Sequence, residues 1–442
     1  MDELAIAERV VRLAMDAGAS EAEATYTVAD RFSAEARGIE LVKLEQSVGR
    51  SIALRVFVAG AKASLGTSDL SADGLRDFVR ETVEAARFVA IDPHAGLPDR
   101  VVAAADDDGL QMYADDVRAR PAEAKIDDAL ALERLARAAD ERIINSSGSR
   151  VADSTVTLAL ANSKGFAGSY RASQASLGTG PIARDGDQKR IASYGTAARS
   201  YAGLEDTNAV AAKAVARAVG AIGARKPQTA RCAVIFERDV AALVLSDVFN
   251  AANAASVAVG NSFLAGKIGA RIGSELVTIV DDGRLARGLG TSPFDAEGVR
   301  TRRNVVVERG ELRTFLFDTY YARRLGAAST GNASGGGIGP NNFYLVPGER
   351  SVEEVIAATS RGAFITDTIG FSTESVTGTY SRGARGFWIE GGQLAYPIDE
   401  FTIAGNLLEM LAAVDAVASD LVYDQPIVSP SFRVAEMTVS GS

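Results

Sequence analysis

Apolar residues recur at helical spacing from the start of the chain. Ile6, Val10, Leu13 and Ala14 share one face and Gly18 offers a stop, which predicts an amphipathic helix over 3–16. Ala22, Ala24, Tyr26 and Val28 then alternate with polar residues, the period of a half-buried strand. Further strand-like runs are Phe32–Arg37, Ile39–Leu44 and Ile52–Val58, and Ala59-Gly60 turns the chain into Ala61–Leu65. Over 72–89, Leu75, Phe78, Val79, Val83 and Ala86 return to helical spacing. Helix, antiparallel strands and helix in that order predict an α+β unit rather than a parallel doubly wound sheet.

Asp92 to Asp116 reads as a linker, with Pro93, Gly96, Pro98 and an Asp106-Asp107-Asp108-Gly109 turn cluster. Pro121 suits a helix's first turn, and Leu132, Leu135, Ala139 and Ile143 form one stripe over 121–143. Val156, Leu158 and Leu160 alternate in a strand that Asn162-Ser163-Lys164-Gly165 turns back, and 205–223 is an Ala-rich helix. The stretch from Gly223 to Ala230, with Lys226-Pro227, is the main expected boundary. It separates an N-terminal α+β region, 1–224, from a β-rich C-terminal region, 225–442; the first has lobes at about 1–91 and 117–224. The first half is expected to be an antiparallel sheet with flanking helices. The second is expected to be a large mixed or antiparallel sheet, or barrel-like, with a few helices.

That second half opens with an apolar strand, Cys232–Phe236, and a helix for which Asp239 is the expected N-cap. Val240, Leu243, Val244, Val248, Ala251 and Ala255 recur on one face of this helix. The remainder is Gly-rich and strand-rich, with helices expected near 318–326, 351–359 and 405–415. Gly386–Glu390, then Gly391-Gly392, then Gln393–Ile398 is a hairpin pattern. Pro397 cannot donate to a ladder, so it marks a sheet edge or a strand end.

Composition narrows the chemistry. The chain has 442 residues, 47% of them hydrophobic, with no run of eighteen apolar residues, which predicts a globular protein without a membrane span. Met1-Asp2-Glu3-Leu4 lacks a basic leader, and one cysteine excludes an intrachain disulfide; both predict a cytoplasmic setting. The formal charge is −10 with basic and acidic residues interspersed, so no nucleic-acid partner is expected. A zinc site takes three or four protein ligands, mostly His and Cys, and this chain has one His, His94, and one Cys, Cys232. No metal is therefore expected on this chain. His94 is read as a surface linker residue and Cys232 as a small core residue. Asp281-Asp282-Gly283 is read as a turn after Val277–Val280, and with Asp295 and Glu297 it matches no EF-hand loop. Ser381 lacks a Gly-x-Ser-x-Gly elbow, although a Ser–Lys variant stays open. Ser329–Pro340 lacks the Gly-Lys-Ser/Thr ending of a phosphate loop and is read as a flexible surface loop.

Several motifs in order carry a resemblance: Val280-Asp281-Asp282-Gly283, Asp295-Ala296-Glu297-Gly298, Ala322–Gly326, Ser329–Ala333, Ser381–Ala384, Gly386–Glu390, Tyr396-Pro397 and Thr402–Leu407. Together they resemble the TldD/PmbA peptidase family over nearly the whole chain. The peptidase branch is marked by His-Glu-x-x-x-His on the helix after the Cys232 strand. Here those positions read Leu245, Ser246 and Asn250, and the tail Tyr423–Ser429 lacks the family's further Cys ligand. The resemblance therefore implies the PmbA (TldE) branch. It implies a non-catalytic subunit that pairs with a zinc-bearing TldD-like sibling in a cytoplasmic peptidase. Unfolded peptides of the microcin-precursor or antitoxin type are the implied substrates, and a homodimer is expected when the chain is alone. Asn332, Tyr380, Ser381, Arg382 and Trp388 are the candidate peptide contacts, set against a reading of Tyr380 and Trp388 as core or interface strand side chains and of Arg382 as half of a structural ion pair; the Pro397 segment is a candidate edge for strand addition. Two other readings are a stand-alone hydrolase with Ser or carboxylate chemistry and an interaction module acting on DNA gyrase.

Overall fold

A computed structural model describes residues 2–99, 109–370 and 373–441. The Asp106–Asp108 part of the expected turn cluster lies outside them. Helix α1 (Glu3–Asp16) buries Ala7, Val10, Val11 and Ala14. Strands β1 (Glu21–Arg37), β2 (Glu40–Val58) and β3 (Ala61–Thr67) follow, then α2 (Ala72–Ala86), whose first turn is capped by Ser71 Oγ accepting from Gly74 N. Where four short strands are expected before Ala59, the chain makes two long ones. They pair from Glu21↔Phe57 to Arg37↔Glu40, with Val42 the extra residue of a bulge. Residues 40–51 are exposed throughout, so no period-two signal marks them; pairing with β1 holds them extended.

Helices α3 (Asp115–Ala119) and α4 (Ala122–Ala138) lead to β4 (Ile143–Asn162), β5 (Ala167–Asp185), β6 (Gln188–Ile191), β7 (Tyr194–Ala198) and α5 (Thr207–Gly220). Ile143 does not extend the α4 stripe. Asp140 closes a turn by accepting from Arg142 N at 2.9 Å, and Ile143 opens β4. The strands form one antiparallel sheet in the order β3-β2-β1-β4-β5-β6, with β7 also on β5. Because β1 pairs with β4, residues from both expected lobes share this sheet. All four long helices pack on one of its faces. Helices α1 and α2 cover Ala24, Tyr26, Ile52, Leu54 and Ala159, while α4 covers Phe32, Ala34 and Val151. Residues 92–99 are docked rather than free. Leu97 is fully buried, Tyr320 Oη donates to Asp92, and half-buried His94 meets the Tyr320 ring edge-on at 6.3 Å.

The second half runs β8 (Ala230–Phe236), α6 (Arg238–Ala252), α7 (Ala254–Ala258), β9 (Ile279–Asp282), β10 (Arg303–Glu308), β11 (Glu311–Leu312), α8 (Thr319–Arg324), β12 (Ala333–Ser334), β13 (Gly337–Ile338), β14 (Phe343–Leu345), α9 (Val352–Ala357), β15 (Arg361–Ile369), β16 (Thr379–Glu390), β17 (Gln393–Asn406), α10 (Leu407–Ala412), β18 (Val414–Val417), β19 (Ile427–Val428) and β20 (Phe432–Ser440). Five strands, β17-β16-β15-β8-β20, close into a barrel because β17 also pairs with β20, as Ile403↔Val439. A second sheet, β11-β10-β9-β14-β19, stands beside it. The β16–β17 hairpin turns at Gly391-Gly392 with φ +57° and +77°, the left-handed pair of a two-residue turn. The N-cap of α6 is Glu237, not Asp239: its side chain accepts from Asp239 N. The edge expected at Pro397 is occupied. Arg225 N donates to Pro397 O and Asp399 N donates to Arg225 O, both at 3.2 Å. Ser329–Pro340 holds the β12–β13 hairpin, its base pinned by Ala333 N donating to Asp295. Among the described residues no helix is long and apolar enough to cross a membrane.

Candidate functional site

The helix-free face of the N-terminal sheet is divided. Part packs on the C-terminal half: Phe294 stacks edge-on with Phe166 and Tyr170 at 5.0 and 5.3 Å, and Arg55 bridges Glu23 at 2.7 Å and Glu297 at 3.1 Å. The rest is open. There the strand registers line up rows of polar and small residues across five strands. One row is Glu45, Ser33, Ala152, Ser176 and Ala197; the next is Ser47, Arg31, Ser154 and Gln174. Side chains alternate between the two faces of a strand, so the apolar residues that meet the helices force this composition onto the other side. Arg150 Nε donates to Ser33 Oγ at 2.9 Å and stands between the rows and the barrel.

These rows line a trough of two linked chambers, from which a third opens. The first, about 670 Å³, lies between Arg31, Glu45 and Gln174. It shares Arg150, Ala152, Gln174 and Ser176 with the second, about 750 Å³. The second reaches Arg217 and Asp239 and shares them, with Ser147 and Ser193, with a third chamber of about 580 Å³. The trough thus runs from the β1–β2 arm to the first turn of α6.

At that turn the charges are paired. Arg217 contacts Glu237 at 2.6 Å and Asp239 at 2.8 Å. Burial, then repulsion from Asp239, pushes the Glu237 carboxyl above the usual carboxylate range against the pull of Arg217 and Arg238. Tyr194 donates to Glu205 and accepts from Lys213 and Arg238, and its ring has the Arg217 guanidinium 5.0 Å away.

Further along α6 stand the positions implied as a lost metal motif. Leu245 is buried, Ser246 Oγ donates back to Ala242 O at 2.9 Å, and Asn250 is exposed. Next to them Asp247 accepts from Arg382 Nη2 and Thr373 Oγ1, both at 2.8 Å, and burial lifts its carboxyl above the usual range. Among the described residues no group of three or more His, Cys, Asp or Glu is arranged to hold a metal.

None of the five expected peptide contacts lines the trough. Tyr380 is fully buried, edge-on to Phe236 at 6.4 Å, and burial raises its hydroxyl far above the normal value. Trp388 is buried in the same core. Arg382 is spent on Asp247, and half-buried Ser381 pairs across the sheet with Ala404. Asn332 is buried and serves Asp281, donating to it at 2.8 Å; Asn341 adds its backbone N–H at 2.8 Å and its side-chain amide at 2.9 Å. Asp281 is therefore no turn residue. Asp282 plays that part, accepting from Arg284 N at 2.8 Å. The residues that do line the trough, such as Arg31, Arg150, Gln174 and Ser176, went unread. Their only signal is the polar half of an alternating strand.

Burial pushes the Asp281 carboxyl up to about 6, against hydrogen bonds from Asn332, Asn341 and Asn304 that favour its charge. A carboxyl raised by folding stabilises the fold fully below its unfolded value, and that stabilisation is lost as pH rises through the folded value. Between about pH 4 and about pH 7, urea titrations should show wild type losing stability relative to Asp281→Asn, whatever the variant's absolute stability. A pH-independent difference between the two would contradict this account of Asp281.

Known proteins place the fold. Residues 115–222 match the PmbA/TldA metallopeptidase central domain and residues 229–441 its C-terminal domain. A "Metalloprotease PmbA homolog" of Haemophilus influenzae is 33% identical over 437 residues, 98% of this chain and 94% of the relative. A crystal structure of a candidate modulator of DNA gyrase from Bacteroides thetaiotaomicron superposes with a TM-score of 0.92 at 26% identity, covering 99% of this chain and 98% of that one. TldE from Thermococcus kodakarensis shares the fold, with a TM-score of 0.89 at 21% identity over 99% of this chain and 100% of that one. The chain belongs to the PmbA/TldD metallopeptidase family.

Proposed function

We propose that this chain is the non-catalytic, peptide-holding subunit of a cytoplasmic PmbA/TldD-type peptidase whose zinc sits on a TldD-like sibling. One observation carries the reading: the open trough leads to α6, and on α6 the motif positions are Leu245, Ser246 and Asn250. Leu has no lone pair, and Asn is a poor partner for a borderline ion such as zinc. A polar trough of this kind suits unfolded peptide, because main-chain groups are the same in every sequence. Microcin-precursor or antitoxin-type chains are the substrates this reading favours. Ser381, the nucleophile of a stand-alone hydrolase, lies outside the trough, and a formal charge of −10 lends no support to a role on DNA.

The test uses the purified chain, the sibling from the same genome, and unfolded casein. Alone, the chain should carry no stoichiometric zinc and cleave at background rate. Addition of the sibling should switch cleavage on, and chelator should abolish it. Cleavage by the lone chain in excess chelator would overturn the proposal, as would a sibling whose activity ignores this chain.

A further inference from the structure

The third chamber differs in chemistry from the trough it joins. Its floor is apolar: Val240 and Leu243 of α6, Phe387 of β16, and Pro397 and Ile398 of β17. Leu243 belongs to the apolar stripe read from the sequence, yet it is 43% exposed, and Ile191 across the chamber is 57% exposed. The rim is charged and, apart from exposed Lys189, neutralised in pairs. Arg190 contacts Asp185 at 2.7 Å and Asp399 at 2.8 Å, Arg385 contacts Asp399 at 3.1 Å, and Arg217 is held by Glu237 and Asp239. Beside that one lysine, what is left unsatisfied there is apolar surface. A concave pocket with an apolar floor and a polar rim is the usual form of a site that takes an apolar group.

We infer that this chamber is a side-chain subsite, which takes one large apolar side chain, aliphatic or aromatic, of a peptide whose backbone lies in the polar trough. The inference rests on the peptide-holding role proposed above. Continuity selects the occupant, because Ser147, Ser193, Arg217 and Asp239 border both the chamber and the trough. A chain extended over the second chamber can therefore turn a side chain into the third. The volume of about 580 Å³ holds such a side chain together with the backbone that carries it. The trough would then be blind to sequence and the chamber would read one residue, so selection concerns apolarity at a single place. Unfolded segments expose the large apolar residues that folded proteins bury.

The experiment is fluorescence anisotropy with the full chain and labelled peptides of Ser, Ala, Gly and Gln that differ only at a central residue. The Phe and Leu peptides should bind about tenfold or more tightly than the Ser and Glu peptides. Leu243→Glu should remove the preference, bringing the Phe, Leu and Ser peptides to within about twofold of one another. Ile191→Glu, on exposed β6, repeats the test from the opposite wall if Leu243→Glu does not fold. Equal affinities in wild type would overturn the inference, as would a Phe preference that survives both variants. The two proposals fail separately. Sibling activation with no apolar preference removes the subsite and leaves the subunit role. An apolar preference without sibling activation removes the subunit role and leaves the pocket.

Discussion

Gly386→Val should open the barrel. Gly386 lies in β16 between Ile365 of β15 and Ile398 of β17, with register shifts on both sides. A Cβ at this position would stand 1.9 Å from Phe364 O and 3.0 Å from the Ile365 Cα. Both are backbone atoms of a strand that is hydrogen-bonded on its other side to β8, so neither can retreat. The substitution must break the β15–β16 ladder or expel a strand, and a loss of about 4 kcal/mol or more is expected. Urea unfolding should show it directly. Limited proteolysis should cut 230–440 while sparing the N-terminal sheet. A variant within about 1 kcal/mol of wild type would mean the barrel is looser than its ladders indicate.

Asp247→Ala should be the most damaging change on α6. It leaves the Arg382 guanidinium, 6% exposed and 5.3 Å from the Tyr380 ring centroid, without its carboxylate. Uncompensated buried charge typically costs about 3–5 kcal/mol. Replacing both partners with apolar residues of similar size, Asp247→Leu with Arg382→Met, should recover most of that loss, because desolvation of the pair roughly offsets its attraction. A double-mutant cycle by chemical denaturation separates the two effects. If Asp247→Ala were as stable as the double variant, Arg382 would have found water or another acceptor.

The element order was largely legible. Helical stripes such as Leu75, Phe78, Val79 and Val83, and the hairpin at Gly391-Gly392, announce themselves because one local period or one turn decides them. Contacts between distant segments leave no such mark. Asp247 and Arg382 are 135 residues apart, and nothing in either local pattern names the other. Tyr380 and Trp388 pack in the core of the C-terminal half and Arg382 pairs with Asp247, the core and ion-pair readings that strand residues of this kind also allow. The trough hid for another reason. Ser33, Ala152, Ser176 and Ala197 are commonplace residues, and only the register of β1, β4, β5 and β7 sets them in a row.

Barrel closure also sets an order of events during synthesis. The N-terminal sheet draws only on residues 21–198, so it can assemble on the emerging chain. Strand β8 cannot do the same. One of its neighbours, β15, begins at residue 361, and the other, β20, at residue 432. Until both exist, the apolar run from Cys232 to Phe236 has two bare edges, the kind of segment that chaperones shield and that otherwise pairs with a stranger.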